Sequence, residues 1–203
     1  MMTLCVIYDF ETLGQNVLTC PALSFAVLKF DEERFLSDSP YTYKELIDSC
    51  VYIKLDVMEQ VQKHGRKIES DTLDWWKQQS EEAQRVLKPE KTDASLEKLY
   101  DVIYGLLQYD SRPIEKAYTR GNTFDPILLQ SLLACISKTD PFPWWSIRDT
   151  RSMIDGMLIG SDVSNKFIPE ELKMLFVEHD PRHDISMDVM RMQTLQRSIL
   201  LDG

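Results

Sequence analysis

The feature that most constrains this chain is an apolar run that ends in carboxylates. Residues 3–10 (TLCVIYDF) are apolar and β-branched almost throughout, the pattern of a strand buried in the middle of a sheet. Such a strand needs sheet neighbours and covering layers, so the chain is committed to a layered fold. Asp9 and Glu11 close the run on either side of Phe10. Alternate side chains of a strand share a face, so the two acids point one way and Phe10 the other. Two readings stand: the strand ends in solvent, or its end carries a carboxylate site.

Residues 22–30 (ALSFAVLKF) and 50–55 (CVYIKL) read as two more strands, the first joined to the run by a turn around Gly14–Asn16. Their short connections suggest an antiparallel meander. Helical spacing follows at 71–87 and 93–108, where Leu96, Leu99, Val102, Ile103 and Leu106 recur on one side and Asp93 is the expected N-cap. Lys116–Arg120 fits a fourth strand and Ser146–Asp149 a fifth, with an apolar helix at 126–137 between them. Helices at about 149–158 and 183–200 close the chain. This order predicts an α/β fold, a mixed five-stranded sheet flanked by helices. Over 203 residues there is no repeat and no Gly/Ser- or Pro-rich divider, so one domain spanning 1–203 is expected.

Charge narrows the function. Thirty-three acids against 23 bases give a formal net charge of −10. A protein that grips nucleic acid by bulk charge is usually basic, so any such role here has to be local or carried by cations. Cys5, Cys20, Cys50 and Cys135 are scattered with no CxxC pair, which argues against a zinc knuckle or redox motif and for reduced thiols in a cytoplasm. The first residues carry no basic start followed by a long apolar run, so neither a secretory signal nor a membrane span is expected.

Two further acids stand where folding alone would not put them. Asp125 lies between Phe124 and Pro126, where proline suits a first helical turn and aspartate the cap before it. The same carboxylate, at a strand-to-helix junction, also points out of the sheet edge. Asp188 shares the inward stripe of the last helix with Ile185, Val189, Met192 and Ile199. A lone charge facing a core is expensive, so Asp188 needs a buried basic partner or a ligand. If Asp9, Glu11, Asp125 and Asp188 converge, neighbouring charges ~4 Å apart repel by roughly 4 kcal/mol. Protonation or divalent cations relieve this, and oxygen-only ligation selects Mg²⁺ or Mn²⁺. Two such ions about 4 Å apart are the apparatus of in-line displacement at phosphorus. The attacking water then needs a base. Of His64, His179 and His183, the last two lie in EHDPRHDISMD, just before Asp188.

DFET at 9–12, NTFD at 122–125 and HDISMD at 183–188 resemble, in order and spacing, the three motifs of the DEDDh-type 3′–5′ exonucleases. DTLDWWKQQSEEAQRVLKP (71–89), RGNTFD and RDTRS (148–152) are similar to the phage exonuclease A branch of that family. The resemblance covers nearly the whole chain. It implies an RNase H-like fold and two Mg²⁺ ions, replaceable by Mn²⁺, on Asp9, Glu11, Asp125 and Asp188. It also implies His183 as general base, with Thr12, Leu13 and Phe124 beside the terminal nucleotide. The implied reaction releases nucleoside 5′-monophosphates from the 3′ end of single-stranded DNA, in the host cytoplasm if the chain is phage-encoded. An exoribonuclease acting on short RNA and a catalytically idle module that binds DNA ends remain alternatives, since nothing in the sequence reads a 2′-hydroxyl.

The sequence departs from the family pattern in one place and is ambiguous in another. Many members carry asparagine four residues before the second-motif aspartate; here Gly121 holds that place and Asn122 follows it. The third motif contains two overlapping His-x4-Asp frames, His179/Asp184 and His183/Asp188. The second is preferred because Asp188 lies on the inward stripe, whereas the helix macrodipole explains Asp184 near the helix start. His179 is then a supporting or surface residue. Trp75 and Trp76 either stack on bases or split between core and edge. Trp144 and Trp145, after Pro143, are expected to pack at a strand entrance. Arg148 and Arg151 approach phosphate or pair with acids, and Asp31–Glu33 form a solvated turn.

Overall fold

The apolar run becomes the central strand of a sheet. The computed structural model describes residues 4–108 and 113–201. Along the chain, β1 (Leu4–Thr12) and β2 (Ala22–Asp31) are followed by α1 (Tyr43–Ser49), β3 (Val51–Lys54), α2 (Val57–His64), α3 (Ser70–Trp76), the single turn α4 (Glu81–Gln84) and α5 (Leu96–Gln108). Then come β4 (Ile114–Thr119), α6 (Asp125–Ala134), β5 (Ile147–Asp149), α7 (Thr150–Met157) and α8 (Pro181–Leu201). The strand order is β3-β2-β1-β4-β5. β1–β2 and β2–β3 are antiparallel, while β1–β4 and β4–β5 are parallel. This is the expected mixed five-stranded, RNase H-like sheet, and its first three strands form the expected meander.

Both faces of β1 are covered, which is why its sequence is a run and not an alternation. Val6, Tyr8 and Phe10 pack with Leu99 and Ile103 of α5 and with Leu128, Leu129 and Leu132 of α6. Cys5 and Ile7 face Ile154 of α7 and Ile185, Val189 and Met192 of α8. Each such large side chain contributes roughly 1.5–3 kcal/mol by leaving water. Asp9 and Glu11 continue the Cys5–Ile7 side, so the strand aims them at α8. Because β1, β4 and β5 run in parallel, their C-terminal ends share one edge of the sheet, where the connections into α6 and α7 also start.

Several local expectations change. The periodic stretch 71–87 is not one helix: Ser80 accepts the Ala83 amide hydrogen and starts a new turn after α3 has ended. Ser95, not Asp93, caps α5 by accepting from the Lys98 N–H. Asp93 instead accepts from the Glu90 N–H and pairs with Lys54. Asp125 is the first residue of α6 and not its cap. Short helices α1 and α2, capped by Thr42 and Asp56, fill what the sequence left blank. Ile199 is exposed, so the inward stripe of α8 ends before it, and Trp144 and Trp145 project into solvent. Glu32, expected in a solvated turn, pairs with Lys116 and accepts from the Tyr118 hydroxyl. Among the described residues no helix is long and apolar enough to cross a membrane.

Candidate active site

A cavity of about 870 Å³ opens at the C-terminal edge of β1 and β4, and three elements deliver carboxylates into it. Asp9 and Glu11 come from the end of β1. Asp125 comes from the first turn of α6, and its Oδ1 accepts the Phe10 amide hydrogen at 3.2 Å, which ties that helix to the strand between the two acids. The fourth acid is Asp184, in the first turn of α8, where Asp180 caps the helix by accepting from the Arg182 N–H. Asp184 Oδ2 accepts the His179 amide hydrogen at 3.2 Å.

His179 stands beside these acids. It lines the cavity, and its ring nitrogen approaches oxygens of Glu11 and Asp184 so that one atom from each lies within 4.8 Å of the other two. Its backbone sits at φ 66°, in the left-handed region that a side chain seldom adopts, and the ring is boxed by aromatics. Trp75 meets it edge to face at 4.7 Å and Trp76 at 6.2 Å. Trp76 is fully buried, and its indole N–H donates to the Thr12 carbonyl at 2.9 Å, while Trp75 forms the exposed edge.

The electrostatics follow from this crowding. Burial, then Asp125 and Glu11, push the Asp9 carboxyl well above its ordinary range. Burial and Asp184 do the same to Glu11. Asp125 is pushed up to about 7 by burial, and Asp184 to about 8 by burial and by the charges of Asp188 and Glu178. Burial lowers His179, which favours the neutral imidazole. Among the described residues no arginine or lysine pairs with any of these four acids.

The frame preferred from sequence is not the one brought together. His183 lies outside the cavity: its Nδ1 accepts from the Val177 N–H at 3.3 Å and meets the Tyr43 hydroxyl at 2.8 Å. Asp188 does reach the cavity wall, but its charge is already met. Oδ1 accepts from Arg120 at 2.6 Å and from Arg191 at 2.7 Å, and Oδ2 accepts from the Thr150 hydroxyl at 2.5 Å. The inward charge thus has the buried basic partners that a structural role requires. Phe124 lines the cavity. Thr12 is turned onto the Gly14 carbonyl, and Leu13 packs against Leu23 and Trp76 behind the site. The one sequence signal for Asp184 was the overlapping His-x4-Asp frame; Arg120 had none.

The donor set suits a hard cation. Two buried carboxylates, Glu11 and Asp125, and two half-buried ones, Asp9 and Asp184, without a compensating charge and joined by an imidazole, are unstable as anions unless positive charge enters among them. Residues 5–191 match the model of the 3′-5′ exoribonuclease Rv2179c-like domain. The chain belongs to this family of 3′–5′ exonucleases. The exonuclease is also 29% identical, over 206 residues, to the exodeoxyribonuclease of Enterobacteria phage T4, covering 92% of this chain and 86% of that one. Its fold resembles that of E. coli exonuclease I, solved as a zinc-bound complex with single-stranded DNA (TM-score 0.60, 14% identity, 100% of this chain and 42% of that one). It also resembles the complex of exonuclease I with a dT13 oligonucleotide (TM-score 0.58, 11% identity, 98% of this chain and 43% of that one). The chain therefore spans about two fifths of those structures.

Proposed function

We propose that the exonuclease shortens single-stranded DNA from its 3′ end, releasing nucleoside 5′-monophosphates. The observation that carries this reading is the convergence of Asp9, Glu11, Asp125 and Asp184 beside His179 at one edge of the sheet. These four carboxylates would hold two divalent ions, Mg²⁺ or Mn²⁺. Ions held there supply the positive charge that phosphoryl transfer needs at the attacking and leaving oxygens.

The chain's own residues do the rest. His179, neutral at physiological pH, takes a proton from the water that attacks phosphorus. The Trp75–Trp76 box and the bond from its own N–H to Asp184 fix where that imidazole points. As the new P–O bond forms, the bond to the preceding nucleotide's 3′ oxygen breaks, and that oxygen leaves as a hydroxyl after taking a proton from solvent. Phe124 offers an apolar face to the terminal base. DNA as substrate is supported by the phage exodeoxyribonuclease and by the DNA complexes of exonuclease I. The exoribonuclease description of the matched family supports RNA as a second reading.

Digestion of matched, 5′-labelled DNA and RNA oligomers in Mg²⁺ or Mn²⁺, beside EDTA and His179→Ala controls, tests both. A DNA ladder that shortens from the 3′ end and disappears in both controls is expected. Faster digestion of RNA would overturn the substrate. Intact oligomers of both kinds, with binding retained, would leave an idle module.

A further inference from the structure

We infer that Trp144, Trp145 and Arg148 form a landing strip for the single strand upstream of the nucleotide being removed. This rests on the reading of the site as a single-strand exonuclease. The two tryptophans are 78% and 63% exposed and adjacent, so together they form a contiguous apolar patch of the kind that marks a binding site. Their rings meet edge to face at 5.7 Å, so each keeps a face free.

The pair is held out on purpose-built backbone. Phe142, between two prolines, is buried and stacks on Tyr8 at 5.2 Å, which anchors the segment in the core. Ser146 then closes the turn by donating twice to the Pro143 carbonyl, from its N–H at 2.8 Å and from its hydroxyl at 2.7 Å. Aromatic faces fixed in this way lose little entropy when a base stacks on them.

Positive charge links the pair to the site. Arg148 donates to the carbonyls of Trp145 at 2.7 Å and Ile147 at 2.9 Å, so its guanidinium is pinned beside the tryptophans. It pairs with no carboxylate among the described residues, an unusual freedom in a chain of 33 acids. Three residues on, Arg151 lines the active-site cavity, also without an ion pair among the described residues. β5 carries Arg148 and leads into the first turn of α7, which carries Arg151. The strand runs from the tryptophan pair to the site edge, where Thr150 bonds to Asp188 on the cavity wall. At about 3.3 Å per residue its length is roughly 10 Å, which a short run of nucleotides spans. Cations that track a backbone, interleaved with aromatics that stack on bases, fit single-stranded nucleic acid.

The test compares wild type with Trp144→Ala/Trp145→Ala and, separately, with Arg148→Ala. One readout is the Kd for a labelled oligo-dT of about 20 nucleotides in EDTA; the other is KM and kcat on that oligomer and on a trinucleotide. Loss of the tryptophans should raise Kd and KM for the long oligomer about tenfold or more, leaving the trinucleotide unaffected. The Trp144→Phe/Trp145→Phe protein should keep most of the affinity, which separates lost stacking from lost folding. Unchanged Kd and KM in both alanine proteins, as for a protein-docking patch, would overturn the strip. If the wild type cleaves nothing, the exonuclease reading falls while the Kd comparison still decides the strip.

Discussion

His179 and His183 are four residues apart and have different surroundings. One ring is wedged between two tryptophans and two acids; the other is held by Tyr43 and the Val177 amide. His179→Ala should lower kcat by roughly 10²–10⁴, the usual worth of a positioned general base. His183→Ala should leave kcat within a few-fold and cost about 1 kcal/mol of stability through the lost hydrogen bonds. Steady-state kinetics on the two variants decide between the frames, and the reverse pattern would restore His183. Asp188→Ala should behave as a folding mutant. It strands Arg120 and Arg191 beside one another, which for a buried pair costs about 3–5 kcal/mol in denaturant melts; an unchanged melt would show that the arginines do not need it. Sequence reasoning erred here for a definite reason. An inward charge on a helix stripe was visible, but its partner Arg120 lies 68 residues away, beyond the reach of any periodicity. Arg191 was visible at three residues' distance, yet nothing in the pattern said that it turned inward.

The elements that carry the acids were the legible part. β1 and β2 announce themselves as apolar runs, while β4, with Glu115 and Lys116 in its first half, is legible only as a short segment. Alternation alone put Asp9 and Glu11 on one side of β1. What stayed hidden were the short pieces, α1, α2 and the broken stretch after α3, where capping by Thr42, Asp56 and Ser80 outweighs a weak period. Those pieces brace the site. Glu69, just before α3, accepts the Gln15 and Asn16 amide hydrogens, and its carboxylate passes so close to Gly14 that an added Cβ would sit 2.8 Å away. Trp76 at the end of α3 holds the Thr12 carbonyl, immediately beyond Glu11. Trp76→Phe keeps an aromatic ring there but leaves that buried carbonyl without its donor, a cost of about 1–3 kcal/mol. It should also loosen the end of β1, so that activity falls at temperatures well below global melting. Equal stability and equal heat inactivation of mutant and wild type would show that α3 merely rests against β1.

At the scale of the molecule, the acid cluster makes stability a function of pH and metal. A carboxyl whose pKa is raised by folding binds its proton more tightly in the folded than in the unfolded chain, so its proton favours folding. Its penalty is absent below the ordinary carboxyl pKa of about 4. It grows as pH rises toward the folded values, about 7 for Asp125 and about 8 for Asp184, and is complete above them. The metal-free exonuclease should therefore lose stability between about pH 4 and pH 8. Asp184→Asn removes one of the charges and should melt higher than wild type in EDTA at pH 8, with little difference near pH 4. Divalent ions held by these carboxylates would act in the opposite sense, because they would bind only the ionised, folded cluster. Mg²⁺ or Mn²⁺ at 100 times its Kd adds about 2.7 kcal/mol, which for a chain of this size is roughly 5–11 °C in Tm. That gain should be large at pH 8, small at pH 5 where protons compete, and mostly lost in Asp184→Asn. A metal-induced shift of the same size at both pH values, or one that survives the loss of Asp184, would place the ions somewhere other than among these four carboxylates.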